Sequence, residues 1–305
     1  MTQTPEPWSV YWEGGALNSC ITSSQEQDAR VVNDFWQNFA AALPHNARVL
    51  DLATGNGAVV KQLLSSRSDL KITGVDSAAI RPHDHVDSAD PLATAVFLAD
   101  TDITDLPFAD RSFDAVTSQF GLEYSDVAQS VPEAARILAT GGKLLLLVHH
   151  TDSAILSSGE RTLREIDLLL RPDGLVDTVM AYVQGSASDE VLEQAGQRFL
   201  AEPTPKTRHA SGQILEGVNR VITDRVSHPD RATALANTMH QRLRAEQARL
   251  TQLLQAARSE NDMVRIQELL ATSGMDAAST IPVTSGDGES LERVIIGWQV
   301  AAHKK

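Results

Sequence analysis

Residues 49–57, VLDLATGNG, run from an apolar strand through an acid into a Gly-x-Gly turn that opens the next helix. Many α/β proteins carry such a turn. Glycines at such a turn let the backbone pass close to a ligand, and the N–H groups at the helix start point outward to meet it. Around this run the chain alternates between two periodicities. Residues 48–52, 71–75, 95–98, 113–118 and 143–148 read as short apolar strands. Residues 25–43 read as a helix, with Val31, Phe35, Phe39 and Leu43 spaced by four and Pro44 as the stop, and residues 58–64 are apolar at helical spacing. Residues 144–148 show no polar alternation, which marks a central strand covered on both faces. The pattern predicts an α/β fold: a doubly wound, mostly parallel, Rossmann-like sheet.

After His150 the pattern changes. Residues 151–258 offer no strand, only helical patches. Leu235, Met239, Leu243, Leu250, Leu254 and Ala257 form an apolar stripe on a long helix. Ser259 and Asp262 signal the cap of a further helix carrying Met263, Ile266 and Leu270. Residues 277–284 and 291–303 read as two strands joined by Ser285-Gly286-Asp287-Gly288. The expected sheet thus has about seven strands, with a helical insertion after the fifth. Residues 1–24 would be an N-terminal arm over the ligand site, residues 25–150 and 262–305 the sheet domain, and residues 151–261 the insertion.

A formal net charge of −14 repels phosphate backbones, so no nucleic-acid partner is expected. No run of eighteen apolar residues exists, so no membrane span is expected either. Residues 1–10 lack a cationic stretch leading into an apolar one, and Cys20 is the single cysteine. Both features fit a reducing cytoplasm. No metal site is expected, and Cys20 reads as a small buried residue.

Two acids accompany the glycine loop. Asp51 precedes it, and Gly74-Val75-Asp76-Ser77 closes the second strand nineteen residues beyond Gly57. A carboxylate at that strand end can accept both hydroxyls of a ribose. A dinucleotide fingerprint wants a small residue where Val60 stands, which weakens a nicotinamide reading. A third run narrows the choice. Asp102-Ile103-Thr104-Asp105-Leu106-Pro107-Phe108 is followed by Ser112-Phe113-Asp114-Ala115-Val116. It resembles the D-A-x-x-L-P-F…S-F-D-x-V stretch of class I S-adenosylmethionine-dependent methyltransferases, in the branch of small-molecule enzymes. Arg136-Ile137-Leu138 with Gly141-Gly142-Lys143 resembles that family's approach to strand five, and Gly297-Trp298-Gln299-Val300 its closing strand. The similarity covers about residues 25–150 and 262–305.

The resemblance implies S-adenosylmethionine as cofactor, leaving as S-adenosylhomocysteine. It implies that Asp51 orients the loop near the cofactor's amino group and that Ala53, Gly55 and Gly57 line the methionine moiety. Asp76, with Ser77 beside it, would bind the ribose. Asp102 would accept from the adenine amino group, the Ile103 amide would meet a ring nitrogen, and Gln119 would border the sulfonium. Ala53 stands where many members have glycine. Relatives often fold an aromatic N-terminal segment over the cofactor, so Tyr11 or Trp12 would line the site; otherwise Trp8, Tyr11 and Trp12 anchor the arm. Residues 79–91 match nothing in the family.

The acceptor side is less marked. No Pro-Pro-Tyr or Pro-Pro-Phe signature of amino-group nucleic-acid methyltransferases follows strand four, which instead ends Gln119-Phe120-Gly121-Leu122-Glu123-Tyr124. His149 and His150 follow strand five, on the sheet edge where doubly wound folds bind ligands. A neutral imidazole there could take a proton from the acceptor; alternatively one histidine is buried and the other solvated. Glu123 and Tyr124 are candidate acceptor contacts, or caps of their loop. The insertion would be a lid, part of the acceptor pocket, or a homodimer contact. The functions this pattern supports are methyl transfer to a small molecule by direct in-line displacement or, alternatively, a noncatalytic binding or assembly protein that keeps the cofactor fold.

Overall fold

The computed structural model describes residues 7–20, 26–203, 209–286 and 293–305. They divide into two compact units: Tyr11–Leu156 with Gln255–Lys305, and Ser157–Leu254 with the segment up to Val10.

The first unit is built on a seven-stranded sheet. Its strands are β1 (Arg48–Leu52), β2 (Lys71–Val75), β3 (Val96–Leu98), β4 (Phe113–Gln119), β5 (Leu138–Val148), β6 (Met275–Ser285) and β7 (Val294–Lys304). The order is β3-β2-β1-β4-β5-β7-β6. The first five are mutually parallel, and β7 runs antiparallel between β5 and β6. The mostly parallel, doubly wound sheet is therefore as expected. Strand order reverses between β1 and β4, and ligands of such sheets bind beyond the carboxyl ends of the strands at that point.

Two helices, α4 (Val127–Ile137) and α10 (Glu260–Thr272), cover one face, where Leu50, Val116, Leu144 and Leu146 pack with Val131, Ile266 and Leu270. Helices α2 (Glu26–Ala41) and α3 (Ala58–Ser66) pack together on the other, burying Val32, Trp36, Val60 and Leu63. The buried line of α2 is Val32-Trp36-Ala40, one position beyond the predicted Val31, Phe35 and Phe39, which are half-buried. A spacing of four drifts about 40° per step around a helix, and the Trp36 indole, with no exposure, fixes which neighbouring line faces the sheet. Strand β5 starts five residues before its predicted start, because the ladder with β4 shifts register between Phe113 and Ala115 and continues through Gly141-Gly142. Residues 79–91 hold no α-helix; short 3-10 turns at Pro82–His85 and Pro91–Thr94 make the crossover to β3. Of the predicted link at 285–288 and strand at 291–303, residues 287, 288, 291 and 292 lie outside the described residues.

The motif residues have structural employment. Asp114 accepts the Arg48 backbone N–H at 2.9 Å and its guanidinium at 2.8 and 3.1 Å, which joins β4 to the start of β1. Arg136 donates to the carbonyls of Leu106 and Phe108 and to Glu133 and Asp110, clamping the loop that carries the L-P-F run.

The second unit is helical, with no strand among its described residues. Its elements are α5 (Ala154–Leu170), α6 (Leu175–Val183), α7 (Asp189–Ala201), α8 (His209–Ser227) and α9 (Pro229–Ala256), some crossing the unit boundary by a few residues. The stripe on α9 is corrected at both ends. Its buried apolar residues are Ala232, Ala236, Leu243, Leu250, Leu253 and Ala256, while Leu235, Met239, Leu254 and Ala257 are half-buried. Trp8, in the first helix α1 (Pro7–Glu13), belongs to this unit: its indole donates to Gln252 at 2.8 Å and lies under the Arg249 guanidinium. Among the described residues no helix is long and apolar enough to cross a membrane.

Candidate active site

The chain between β1 and α3 turns left-handed three times, at Ala53 (φ 50°), Gly55 (φ 53°) and Gly57 (φ 85°), the last being the N-cap of α3. For alanine that conformation costs about 1 kcal/mol. Its methyl group fits only because residue 121 is glycine, since a Cβ there would sit 2.5 Å from the Ala53 Cβ.

Two carboxylates hold the loop from below and from the side. Asp51 is fully buried and accepts the hydroxyls of Thr54 and Thr117, each at 2.7 Å. Burial pushes its carboxyl up to about 7, against the two hydroxyl bonds that favour the ionised form, and the negative charge of Asp76 adds to the rise. Asp76 accepts the Gly55 N–H at 2.8 Å on one oxygen and the Ala78 N–H at 2.9 Å on the other. The Thr101 N–H binds the Asp76 carbonyl, so the start of the Asp102 loop lies beside the end of β2. Asp102 is exposed and accepts the Thr104 N–H and hydroxyl at 2.9 and 2.8 Å. Ser77 is exposed, and Ile103 is buried in the core.

Residues 11–16 of the arm lie on the loop. Trp12 is buried with its ring against Gly55, where a Cβ would be 2.4 Å from Cζ2. Tyr11 packs edge-on to Trp12 and donates to the Asn18 carbonyl at 2.9 Å. Asn56, to which sequence reasoning gave no part, ties the arm down by donating to the carbonyls of Trp12 and Ala16 at 3.0 and 2.9 Å. Its position between two glycines was the available signal. The Asn56 Oδ1 is buried and finds no partner among the described residues.

Three of the four acceptor-side candidates come together. His149 is fully buried, stacks on Phe120 at 4.4 Å, and presents Nε2 to the Tyr124 hydroxyl at 3.3 Å. The Cys20 thiol reaches the same nitrogen at 3.6 Å, a partner the sequence did not disclose. Glu123 accepts the His149 backbone N–H at 2.8 Å, while its Oε2 is buried without a partner among the described residues. His150 lies apart from these groups: it stacks on Trp298 at 4.3 Å and its Nδ1 accepts the Asp152 N–H at 2.9 Å. Burial lowers its pKa. Gln119 ends β4 half-buried, its Oε1 accepting the Trp36 indole N–H at 2.6 Å.

Glu123 gives a pH signature. Burial raises its carboxyl to about 7, opposed by the His149 N–H bond. A raised acid contributes stability that is complete below its unfolded pKa and is lost as pH rises through the folded one. Between pH 4 and 8 the wild type should therefore lose stability relative to Glu123→Gln, by up to about 3 kcal/mol, because each tenfold change in proton affinity is worth about 1.4 kcal/mol. Urea denaturation of both proteins across that range checks this, and parallel curves would refute it.

A comparison with known proteins matches residues 50–146 to the methyltransferase domain family. A ubiquinone/menaquinone biosynthesis C-methyltransferase UbiE of Geotalea daltonii is 31% identical over 128 residues, 40% of this chain and 54% of the relative. Demethylmenaquinone methyltransferases of Thermotoga maritima and Deinococcus radiodurans are 39% and 35% identical. Those alignments cover 33% and 37% of this chain and 42% and 48% of the relatives. The chain thus spans about half the length of the curated relatives it matches.

Proposed function

We propose, on the premise that residues 50–146 are a class I S-adenosylmethionine-dependent methyltransferase domain, that the chain moves a methyl group to a small-molecule acceptor whose reacting atom gives up a proton. When bound, S-adenosylmethionine supplies a methyl group on positively charged sulfur, already activated for displacement. The residues present fit that cofactor. Left-handed turns at Gly55 and Gly57 lead the backbone into the start of α3, and the Asn56 Oδ1, without a partner among the described residues, suits an ammonium N–H. Asp76 offers carboxylate oxygens to a ribose diol, Asp102 is open to an amino group, and Trp12 closes over the loop.

The convergence of Tyr124 and Cys20 on His149 Nε2 carries the acceptor half of the reading. Phe120 fixes the plane of the ring and Glu123 fixes its backbone, so the nitrogen is held at one place. There His149 takes the proton that the acceptor loses, Tyr124 orients the acceptor, and the buried surroundings keep water away. The relatives' names speak of quinone precursors, and an acidic hydroxylated ring is an acceptor that a single histidine could deprotonate.

The test is methyl incorporation from labelled S-adenosylmethionine across a panel of hydroxylated aromatic acceptors. His149→Asn is expected to lower turnover by about 100-fold or more, the usual share of a positioned base, while cofactor affinity stays within about threefold. Undiminished turnover would remove His149 from the reaction. Cofactor binding without turnover of any acceptor would favour a noncatalytic binding protein.

A further inference from the structure

Between α2 and α3, on the face of the sheet that also bears Asp51 and Thr117, lies a cavity of about 420 Å³, a size that suits a small molecule. Gln119 reaches its inner end, and Leu17 and Asn18 of the arm border it. The cavity and His149 share a side of the sheet. Gln119 pairs with Leu147 in the β4–β5 ladder, and His149 follows two residues later, so alternation returns it to the same face about 7 Å further on. The arm makes the same connection, since Leu17 and Asn18 line the cavity and Cys20 touches His149.

The lining has an unusual chemistry for a chain of net charge −14. Seven of its eleven residues are polar, yet no carboxylate is among them. Its one cation, Lys61, is already paired with Asp90. The remaining polar groups are amides and a hydroxyl: Asn18, Asn33, Gln37, Gln62, Ser65 and Gln119. Two of them are prepared for a ligand. Trp36 occupies the Gln119 oxygen, which leaves its NH₂ as the available end, a donor. The Gln62 Oε1 is buried with no partner among the described residues, an acceptor without a donor. Donors and acceptors without net charge match a neutral molecule bearing hydroxyl or amide groups. A charged ligand would find no counter-charge, and a long apolar tail would strand the amides.

We propose that this cavity binds the non-reacting part of the acceptor and that it selects a neutral, hydrogen-bonding molecule. The proposal rests on the methyltransferase reading above and adds the substrate class. Gln62 is then a specificity residue whose unpartnered oxygen weakens the free protein and is satisfied in the complex.

Ligand-observed NMR on the full chain tests it, with uridine and N-acetylglucosamine as neutral probes against citrate, choline and geraniol. At least one neutral probe is expected to bind while the other three do not. Its Kd should rise about tenfold or more in Gln62→Leu, through the lost hydrogen bond, and in Asn33→Trp, which fills the cavity. Thermal unfolding of Gln62→Leu should occur at or above the wild-type temperature, which a purely structural role for Gln62 would not allow. Preference for a charged or apolar probe, no binding of either neutral probe, or neutral binding unmoved by both variants overturns the proposal. S-adenosylmethionine titrated into the same proteins reports on the underlying reading separately: its affinity should be equal in all three. Failure of the wild type to bind it would strike that reading and not the ligand class of the cavity.

Discussion

Replacing Asp76 by alanine should weaken S-adenosylmethionine binding by about 100-fold or more. The carboxylate is 6% exposed, anchors the Gly55 amide and lies at the strand end where a ribose would rest. On the proposed cofactor placement, the substitution removes both its hold on the loop and the bonds it would make to the diol. Hydrogen bonds to a charged acceptor contribute about 1.5–3 kcal/mol each, so losing two gives about 3–6 kcal/mol. Asp76→Asn keeps one acceptor and the side-chain volume, and should fall between wild type and alanine. Calorimetric titration of the three proteins measures the series. An alanine variant that binds as wild type does would mean that Asp76 serves the loop turn alone.

The second large effect concerns stability. Gly121→Ala is expected to destabilise the sheet unit by about 2–3 kcal/mol, the cost of overpacking a filled site. Its new Cβ would meet the Ala53 Cβ at 2.5 Å, the Ser118 Oγ at 3.1 Å and the Ala53 carbonyl at 3.2 Å. None of these is the far end of a flexible side chain, so backbone must move. Ala53→Gly removes the methyl and relieves the left-handed alanine, and by itself should leave stability within about 1 kcal/mol, since relieved strain and added chain entropy oppose each other. Combined, the two substitutions should recover most of the loss, which equilibrium unfolding of the four proteins would reveal as a coupling energy. Strict additivity would mean that the two residues do not compete for the same space.

Much of the sheet was legible because its strands are bounded by strong punctuation. β1 and β2 each begin at a charge, Arg48 and Lys71, β2 ends against Asp76, and their predicted and observed bounds agree. β5 was cut short because Gly141-Gly142 looks like a turn, whereas the ladder absorbs both glycines through a register shift. The faces of α2 and α9 were each displaced in part, since apolar residues flank both sides of the buried line and sequence spacing cannot say which of two adjacent lines carries the heavier anchor. The loop acids were legible from position alone, because strand ends bring Asp51 and Asp76 together whatever the side chains do. The pairing of Cys20 with His149 was not, as 129 residues separate them and nothing local to either signals the other. Trp8 shows the same limit: three aromatics close in sequence read as one cluster, but Trp8 joins the helical unit while Trp12 lies on the glycine loop.

The most direct test is calorimetric titration of the wild-type chain with S-adenosylmethionine and with S-adenosylhomocysteine, using NADH as control. Saturable one-to-one binding of the first two and none of the third is the predicted result. Binding of NADH, or of none of the three, would contradict the assignment of the loop at Gly55 as an S-adenosylmethionine site.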